Sequence, residues 1–340
     1  MTRLAIAIVT WNNADDALEC AESLLGQSIV DQMKIVFIDN DSKADEQAKI
    51  QELIKNDTTG RLDFVQTGYN GGTAGGFNAA TKYAKANYIE YVGALNADAV
   101  ADSIWCEALL GELEDYPDAG IAAGTMLHRD GKTVDSTGDF YTTWGLPGPR
   151  DRSKPPEQAA SESGYIFGAT GGGFLARTAM YDEIGLYDEV MFMYYEDVDL
   201  SFRAQLGGHK VRYTPHAIAY HKRGASADTV PGLAVYNTFK NLPILFVKNV
   251  PLRLFPSMYP RLVIMYTLIL GNAIMRGRGG PALKGWVISW RYLMHMFRER
   301  RTIQSKRRAS DKYIDSIILH DIPPDQSGLR KFRKIFTGKS

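Results

Sequence analysis

Three carboxylates stand within four residues at Glu196-Asp197-Val198-Asp199, directly after the bulky run Phe192-Met193-Tyr194-Tyr195. On a helix, successive side chains sit about 100° apart, so these acids cannot share one face. If a helix starts here, Glu196 and Asp197 occupy its first turn, where unpaired N–H groups and the positive dipole end favour negative charge. One carboxylate would then cap the helix while another points into a cleft as a general base. An acidic cap alone leaves the aromatic lead-in unexplained.

Other residue types with chemical potential fall between apolar runs. Asp98 follows the run Tyr88 to Leu95, in Asn96-Ala97-Asp98-Ala99. A carboxylate just past a central strand is placed to hold a divalent ion that bridges a diphosphate. The plain alternative is a helix cap, a part that Asp102, ahead of Trp105, fills better. In Asn70-Gly71-Gly72-Thr73-Ala74-Gly75-Gly76-Phe77-Asn78, four glycines in six positions allow close backbone approach and exposed N–H groups at a helix start. Neither the Walker pattern nor the dinucleotide fingerprint is present, and a flexible turn with tight packing is the competing reading. Gly171-Gly172-Gly173-Phe174 lets a substrate lie against backbone or marks a bulged strand. His221 ends a short strand, where a lone histidine is usually a surface residue.

These residues need a scaffold, and the spacing of apolar runs supplies one. Leu4–Val9, Lys34–Ile38, Leu62–Val65 and Tyr88–Leu95 are short and apolar, and they alternate with helical stretches such as Ala14–Leu25. That alternation implies a parallel sheet with helices on both sides, whose ligands bind beyond the carboxyl ends of the strands. Thr10, Trp11, Asp39, Asn40 and Asp41 all fall at such ends. Residues 142–163, rich in Gly and Pro, read as a long loop, mobile over a site or merely inserted. Lys210–Tyr213 and Ala217–His221 read as two short strands.

A chain of 340 residues with 45% hydrophobic and 23% charged content supports a large core. Its two cysteines, Cys20 and Cys106, argue against a disulfide framework and suit a reducing compartment. Met1 to Val9 runs straight into a strand without a cleavable signal pattern, so the expected location is cytoplasmic. The formal net charge is zero but divided unevenly. Residues 276–340 hold 16 Lys and Arg against 5 Asp and Glu, a net of +11, which leaves −11 on residues 1–275. A basic tail on an acidic body points to a polyanionic partner. Nucleic acid is disfavoured because the body carries no recognition motif for it.

Taken in order, Ile8-Val9-Thr10-Trp11-Asn12, Ile38-Asp39-Asn40-Asp41-Ser42, Asn70-Gly71-Gly72 with Gly75-Gly76-Phe77-Asn78, Leu95-Asn96-Ala97-Asp98, Gly171-Gly172-Gly173-Phe174, and Glu196-Asp197-Val198-Asp199-Leu200 with Arg203 and His221 resemble the family 2 glycosyltransferases over roughly residues 3–250. The resemblance implies a GT-A fold, an α/β architecture with a mixed, mostly parallel sheet and helices on both faces. It implies inverting transfer of a sugar from a nucleotide diphosphate donor. Thr10, Asp39 and Asp41 would then contact the base and ribose, with Trp11, Asn12 and Asn40 also among the donor-binding residues. Asn70, Gly71, Gly72, Phe77, Asn78, Asn96 and Ala97 would shape the donor pocket. Asp98 matches the last position of the family's metal-binding motif, and His221 a position that completes the shell of Mg²⁺ or Mn²⁺. Asp197 matches the catalytic base, with Gly172, Gly173, Glu196 and Arg203 on the acceptor side or in support. The departure is Asn96, where the motif usually has its first Asp. It removes one charge from the metal site and raises the alternative of a nucleotide-sugar-binding protein without catalysis.

The carboxyl-terminal third is different in kind. Tyr236–Asn249 reads as a helix similar to the segment after the catalytic domain in rhamnosyltransferase-like members, which implies dTDP-rhamnose, with UDP-galactofuranose or another UDP-hexose as alternatives. Leu262–Met275 is a charge-free run of 14 residues, short of the ~20 needed to span a bilayer, and Trp286–Phe297 is amphipathic. With the basic cluster Arg298, Arg300, Arg301, Lys306, Arg307 and Arg308, these helices suit an anionic membrane interface. A homo-oligomer contact, or packing on the catalytic domain, is the alternative. The expected organisation is a nucleotide-sugar-binding and catalytic domain at 1–230 and a helical basic region at 231–340. The acceptor would be a polyprenyl-diphosphate-linked sugar or a cell-surface glycan, met at the inner face of the cell membrane.

Overall fold

The computed structural model describes residues 2–222 and 230–322, so the last basic residues of the tail, from Arg330 to Lys339, lie outside the described residues. The first half alternates as the apolar runs predict: β1 (Leu4–Thr10), α1 (Ala14–Leu25), β2 (Met33–Asp39), α2 (Ala44–Asn56), β3 (Leu62–Gln66), α3 (Gly72–Ala86), β4 (Tyr91–Leu95), β5 (Ala99–Ala101) and α4 (Trp105–Asp115). The chain continues through β6 (Ala119–His128), β7 (Val134–Ser136), β8 (Asp139–Tyr141), β9 (Pro147–Pro149), β10 (Gly164–Ile166), β11 (Gly173–Arg177) and α5 (Met180–Ile184). It then forms α6 (Glu196–Gly207), β12 (Lys210–His221), and the helices α7 (Leu233–Asn249), α8 (Phe255–Met275), α9 (Gly279–Arg291), α10 (Leu293–Ser305) and α11 (Asp311–Ile317).

The main sheet runs β10-β12-β6-β11-β4-β1-β2-β3. β3, β2, β1 and β4 are parallel neighbours, while β11 lies antiparallel between β4 and β6, so the sheet is mixed. Chain order reverses direction between β1 and β4, which opens a crevice beyond their carboxyl ends. Both faces are covered. Leu4, Ile6 and Ile8 of β1 meet α1 and α4 on one side, and Ala5 and Ala7 meet α3 and α6 on the other.

Several expectations need correction. β4 begins at Tyr91, because Tyr88 turns with φ +55°. The two strands expected at 210–221 are one strand, β12, whose register shifts between Tyr213 and Ile218, where Pro215 lacks a ladder N–H. The presumed loop at 142–163 contains β9, paired antiparallel to β8. Asp102 makes no side-chain cap on α4, but its carbonyl accepts from Trp105 N–H and from the Gln27 amide. The run at 262–275 belongs to a longer helix, α8, and the stretch 286–297 breaks at Tyr292 between α9 and α10. Cys20 and Cys106 are both buried as free thiols.

Candidate active site

The crevice between β1 and β4 widens into a cleft of about 950 Å³. The sheet places Thr10, Trp11 and Asn40 on one wall and Asn96, Ala97 and Asp98 on its floor. Asn70, Gly72 and Phe77 enter from the start of α3, Gly172 from the turn before β11, Glu196 and Asp197 from the first turn of α6, and His221 from the end of β12. Residues as far apart in sequence as Thr10 and His221, 211 positions, thus share one space.

The turn that leads into α6 is held in a rare conformation. Phe192, Tyr194 and Tyr195 all have positive φ (64°, 69° and 70°), where bulky side chains cost on the order of 1–3 kcal/mol each. The cost is offset from two directions. Asn241 of α7 donates its side-chain amide to the carbonyls of Met191, Met193 and Tyr194 at 2.9, 3.0 and 2.7 Å, and Lys240 donates to those of Val190 and Met191. From α3, Ala74 N–H donates to the Phe192 carbonyl at 3.0 Å. Gly72 is required there: with φ +64°, a Cβ would lie 2.4 Å from the Phe192 oxygen. Glycine at 72 therefore docks the acidic motif as well as lining the cleft.

This turn delivers Asp197 to the cleft with both oxygens engaged. Gly171 N–H donates to Oδ2 at 2.7 Å and Val198 N–H to Oδ1 at 2.8 Å. Burial raises the Asp197 pKa, while those two N–H groups oppose the rise. Beside it, Glu196 is buried, and its Oε2 has no hydrogen-bond partner among the described residues. Burial and the Asp197 charge push Glu196 well above the usual carboxylate range. Of the two, Asp197 is the better placed to carry negative charge, because its oxygens accept from two backbone N–H groups, and Glu196 the better placed to keep a proton. A second buried acid on the wall, Asp139, is also raised, by burial and then by Asp197.

On the cleft floor, Asp98 Oδ1 lies 3.0 Å from His221 Nε2, and His221 Nδ1 lies 3.0 Å from Asp135 Oδ2. Asn96 Nδ2 approaches the same Nε2 at 3.3 Å, and Arg152 pairs with Asp135 at 2.9 Å. Burial disfavours the imidazolium, but its hydrogen bonds to Asp135 and Asp98 outweigh it and raise His221 to about 9. A cation held between Asp98 and Nε2 would take the place of that shared proton, with Asp135 fixing the tautomer through Nδ1. Among the described residues, no group of three or more His, Cys, Asp or Glu is arranged to enclose a metal. Asp98 and His221 offer one carboxylate and one imidazole to the open cleft, donor types that suit Mg²⁺ or Mn²⁺ only with further ligands from outside the protein.

Not every expected residue reaches the cleft. Asp39 is 0% exposed and braces the wall, accepting from Ser42 N–H at 3.1 Å and the Gln47 amide at 2.9 Å. Asn12 and Asp41 are exposed in the loops after β1 and β2, both with positive φ. Asn78 ties the backbone of Tyr187 and the Glu189 carboxylate, and Gly71 packs against Tyr69. Gly173 packs on Met126 and Trp105. Arg203 lies away from the cleft: six positions after Asp197 it sits about 120° around α6 from it, on the face of Asp199, and it bonds Asp199 at 2.9 Å and the carbonyls of Ile184 and Gly185. Sequence reasoning missed Asp135, Asp139, Arg152 and Asn241. The first three sit on or beside strands of three residues, too short for a period to show.

Residues 5–185 match glycosyl transferase family 2, more than half of the chain. The protein belongs to this family and has its GT-A fold. No curated protein matches the sequence. Among solved structures, GalNAc-T7 with UDP, GalNAc and Mn²⁺ aligns with a TM-score of 0.59 at 16% identity, over 73% of this chain and 48% of that one. TarS of S. aureus aligns at 0.51 and 17%, over 75% of this chain and 41% of that one. The mannosyltransferase PcManGT of Pyrobaculum calidifontis, in complex with GDP-Man and Mn²⁺, aligns at 0.54 and 14%, over 93% of this chain and 85% of that one. The chain thus spans less than half the length of the first two structures it matches.

Proposed function

We propose that this glycosyltransferase moves one sugar from a nucleotide diphosphate to an acceptor hydroxyl by a single inverting displacement, with Asp197 as general base. The observation that carries this reading is that Asp197, its oxygens oriented by two backbone N–H groups, lines the same cleft as the Asp98–His221 pair. The acceptor oxygen forms its bond to the anomeric carbon as its proton passes to the Asp197 carboxylate. The bond from that carbon to the diphosphate breaks on the opposite face and leaves its electron pair on the phosphate oxygen. One carboxylate suffices for such a displacement, and protonated Glu196 avoids a second negative charge beside the base. Asp98 and His221 would hold Mg²⁺ or Mn²⁺, a Lewis acid that neutralises charge on the departing diphosphate. Two structural neighbours that contain Mn²⁺ with a nucleotide or nucleotide sugar support this class of donor.

The best reading of the donor is dTDP-rhamnose, supported by the likeness of segments 196–203 and 237–249 to rhamnosyltransferases. UDP-galactofuranose and other UDP-hexoses come next. The acceptor is a lipid-linked or growing cell-surface glycan. Residues 1–230 form the nucleotide-sugar-binding and catalytic unit and 231–340 a helical basic region. Asn96 keeps a second reading in play, a binding protein without turnover, because an amide replaces a carboxylate 3.3 Å from the His221 ring.

A thermal-shift panel of nucleotide diphosphates and their sugars, with and without Mn²⁺, followed by product analysis, tests all of this. At a donor concentration of 100 Kd the expected stabilisation is about 2.7 kcal/mol. The largest shift is expected with dTDP-rhamnose and Mn²⁺, together with slow donor hydrolysis. Stabilisation without any turnover would select the binding-protein reading. No response to any nucleotide would remove the donor site.

A further inference from the structure

The carboxyl-terminal helices present an apolar surface that the catalytic reading does not use. α8 buries Met258, Leu262, Met265 and Ala273 and exposes Val263, Ile264, Leu268 and Met275 on its other side. Only 22% of its most apolar window is buried. α9 buries Ala282, Gly285 and Ser289 and exposes Leu283, Trp286, Val287 and Trp290, again at helical spacing. α10 adds Met294 and Phe297, which are 79% and 53% exposed. An apolar surface on this scale marks an interaction site.

Charge identifies the occupant. From residue 229 to residue 298 the chain carries no Asp or Glu, but it carries Lys240, Lys248, Arg253, Arg261, Arg276, Arg278, Lys284, Arg291 and Arg298. All of these except Lys240 and Lys248 are exposed. Exposed Trp, Leu, Ile and Val fringed by arginine, with no acid among them, complement the boundary between anionic headgroups and acyl chains. A second copy of the same face would bring like charges together.

α8 has 21 residues and is long enough to span a bilayer, but its inner face is committed to the protein along its length. Phe255 packs on Phe246 of α7, and Tyr266 donates its hydroxyl to the Phe239 carbonyl at 2.8 Å. That carbonyl lacks its helical partner because residue 243 is proline. A spanning α8 would drag α7, with its buried Lys240, Asn241 and Lys248, into hydrocarbon. The helix must therefore lie flat.

We propose that the outer face of α8, α9 and α10 is a monotopic docking surface for an anionic membrane leaflet. Its position also orients the cleft. A Cβ at Gly285 would lie 2.3 Å from the Tyr236 carbonyl and one at Gly232 would lie 2.7 Å from Pro281, so α9 is laid directly on the start of α7. Leu233 and Ala234, at that same start, line the cleft. An acceptor with a lipid anchor would then reach Asp197 from the plane in which α9 rests. This last step rests on the proposed transferase reading, whereas the docking itself does not.

The test is flotation of the full chain with vesicles of phosphatidylcholine alone, or of phosphatidylcholine mixed with phosphatidylglycerol, at low and high salt. Binding is expected to the mixed vesicles at low salt, with a blue shift of tryptophan fluorescence. Trp286→Ser/Val287→Ser/Trp290→Ser should abolish binding, and Arg276→Gln/Arg278→Gln/Arg291→Gln should weaken it about 100-fold. Both variants change exposed positions and should keep the wild-type melting temperature and the wild-type rate on a soluble acceptor. Flotation that is indifferent to the triple serine variant would overturn the proposal. So would a dimer in solution that this variant converts to monomer. Vesicle binding needs no donor, so a failed nucleotide panel with intact flotation would remove the transferase reading alone.

Discussion

The side-chain amide of Asn241 donates to the Tyr194 carbonyl at 2.7 Å, and so ties the carboxyl-terminal helices to the turn that aims Asp197. Neither partner touches the reacting atoms as described above. Yet Tyr194 and Tyr195 both hold positive φ, and such a backbone persists only where its surroundings fix it.

Replacing Asn241 by Ala removes three hydrogen bonds to this turn. A misplacement near 1 Å at the base costs roughly 100-fold in rate. The expected result is a kcat lower by about that factor with donor affinity little changed. Steady-state kinetics with separate measurement of donor binding checks it. A large rise in donor Kd with normal kcat would place Asn241 in donor binding instead.

The parallel strands β1 to β4 were legible in the sequence because each is a short, largely apolar run set between helical stretches, and period and length suffice to find it. Of the residues at their ends, Thr10, Trp11 and Asn40 line the cleft and Asp39 and Asp41 do not. Arg203 was expected on the acceptor side or in support; α6 turns Asp197 to the cleft and Asp199 and Arg203 to the helical layer, where Lys248 and Asn249 meet Asp199. Asp135 was illegible. Its strand has three residues, and its value comes from His221, 86 positions away. Pairings of that range leave no local trace.

Asp197→Asn should reduce transfer by about 10²–10⁴-fold, the usual contribution of a general base. The amide can accept from only one of the Gly171 and Val198 N–H groups, so a stability loss of roughly 1–3 kcal/mol should accompany it. Nucleotide affinity should hold. Transfer within threefold of wild type would remove Asp197 from the role of base.

Asp135→Asn should weaken divalent-cation affinity about 10–100-fold, because Asp135 orients the His221 ring through Nδ1 without reaching the cation. Calorimetric titration of Mn²⁺ in the presence of nucleoside diphosphate measures this without relying on turnover. His221→Ala should cost more, since it removes the ligand itself. Equal affinities in wild type and both variants would show that the cation is held elsewhere.

Acid should loosen the junction between the helical layer and the catalytic core. Asp188 accepts from Lys248 at 2.6 Å and faces His295 at 2.8 Å. Burial alone would raise its pKa, but the Lys248 charge and these hydrogen bonds lower it to about 2. The folded pKa lies below the unfolded one near 3.9, so the carboxylate's contribution is complete above that value and disappears as pH falls toward 2. The difference corresponds to about 2–3 kcal/mol at neutral pH. Asp188→Asn should therefore melt several degrees below wild type at pH 7, and the gap should close between about pH 4 and pH 2. Calorimetric melts across that range measure it. A gap that stays constant down to pH 2.5 would assign the loss to packing rather than to charge, because a neutral side chain has no titration to share with Lys248.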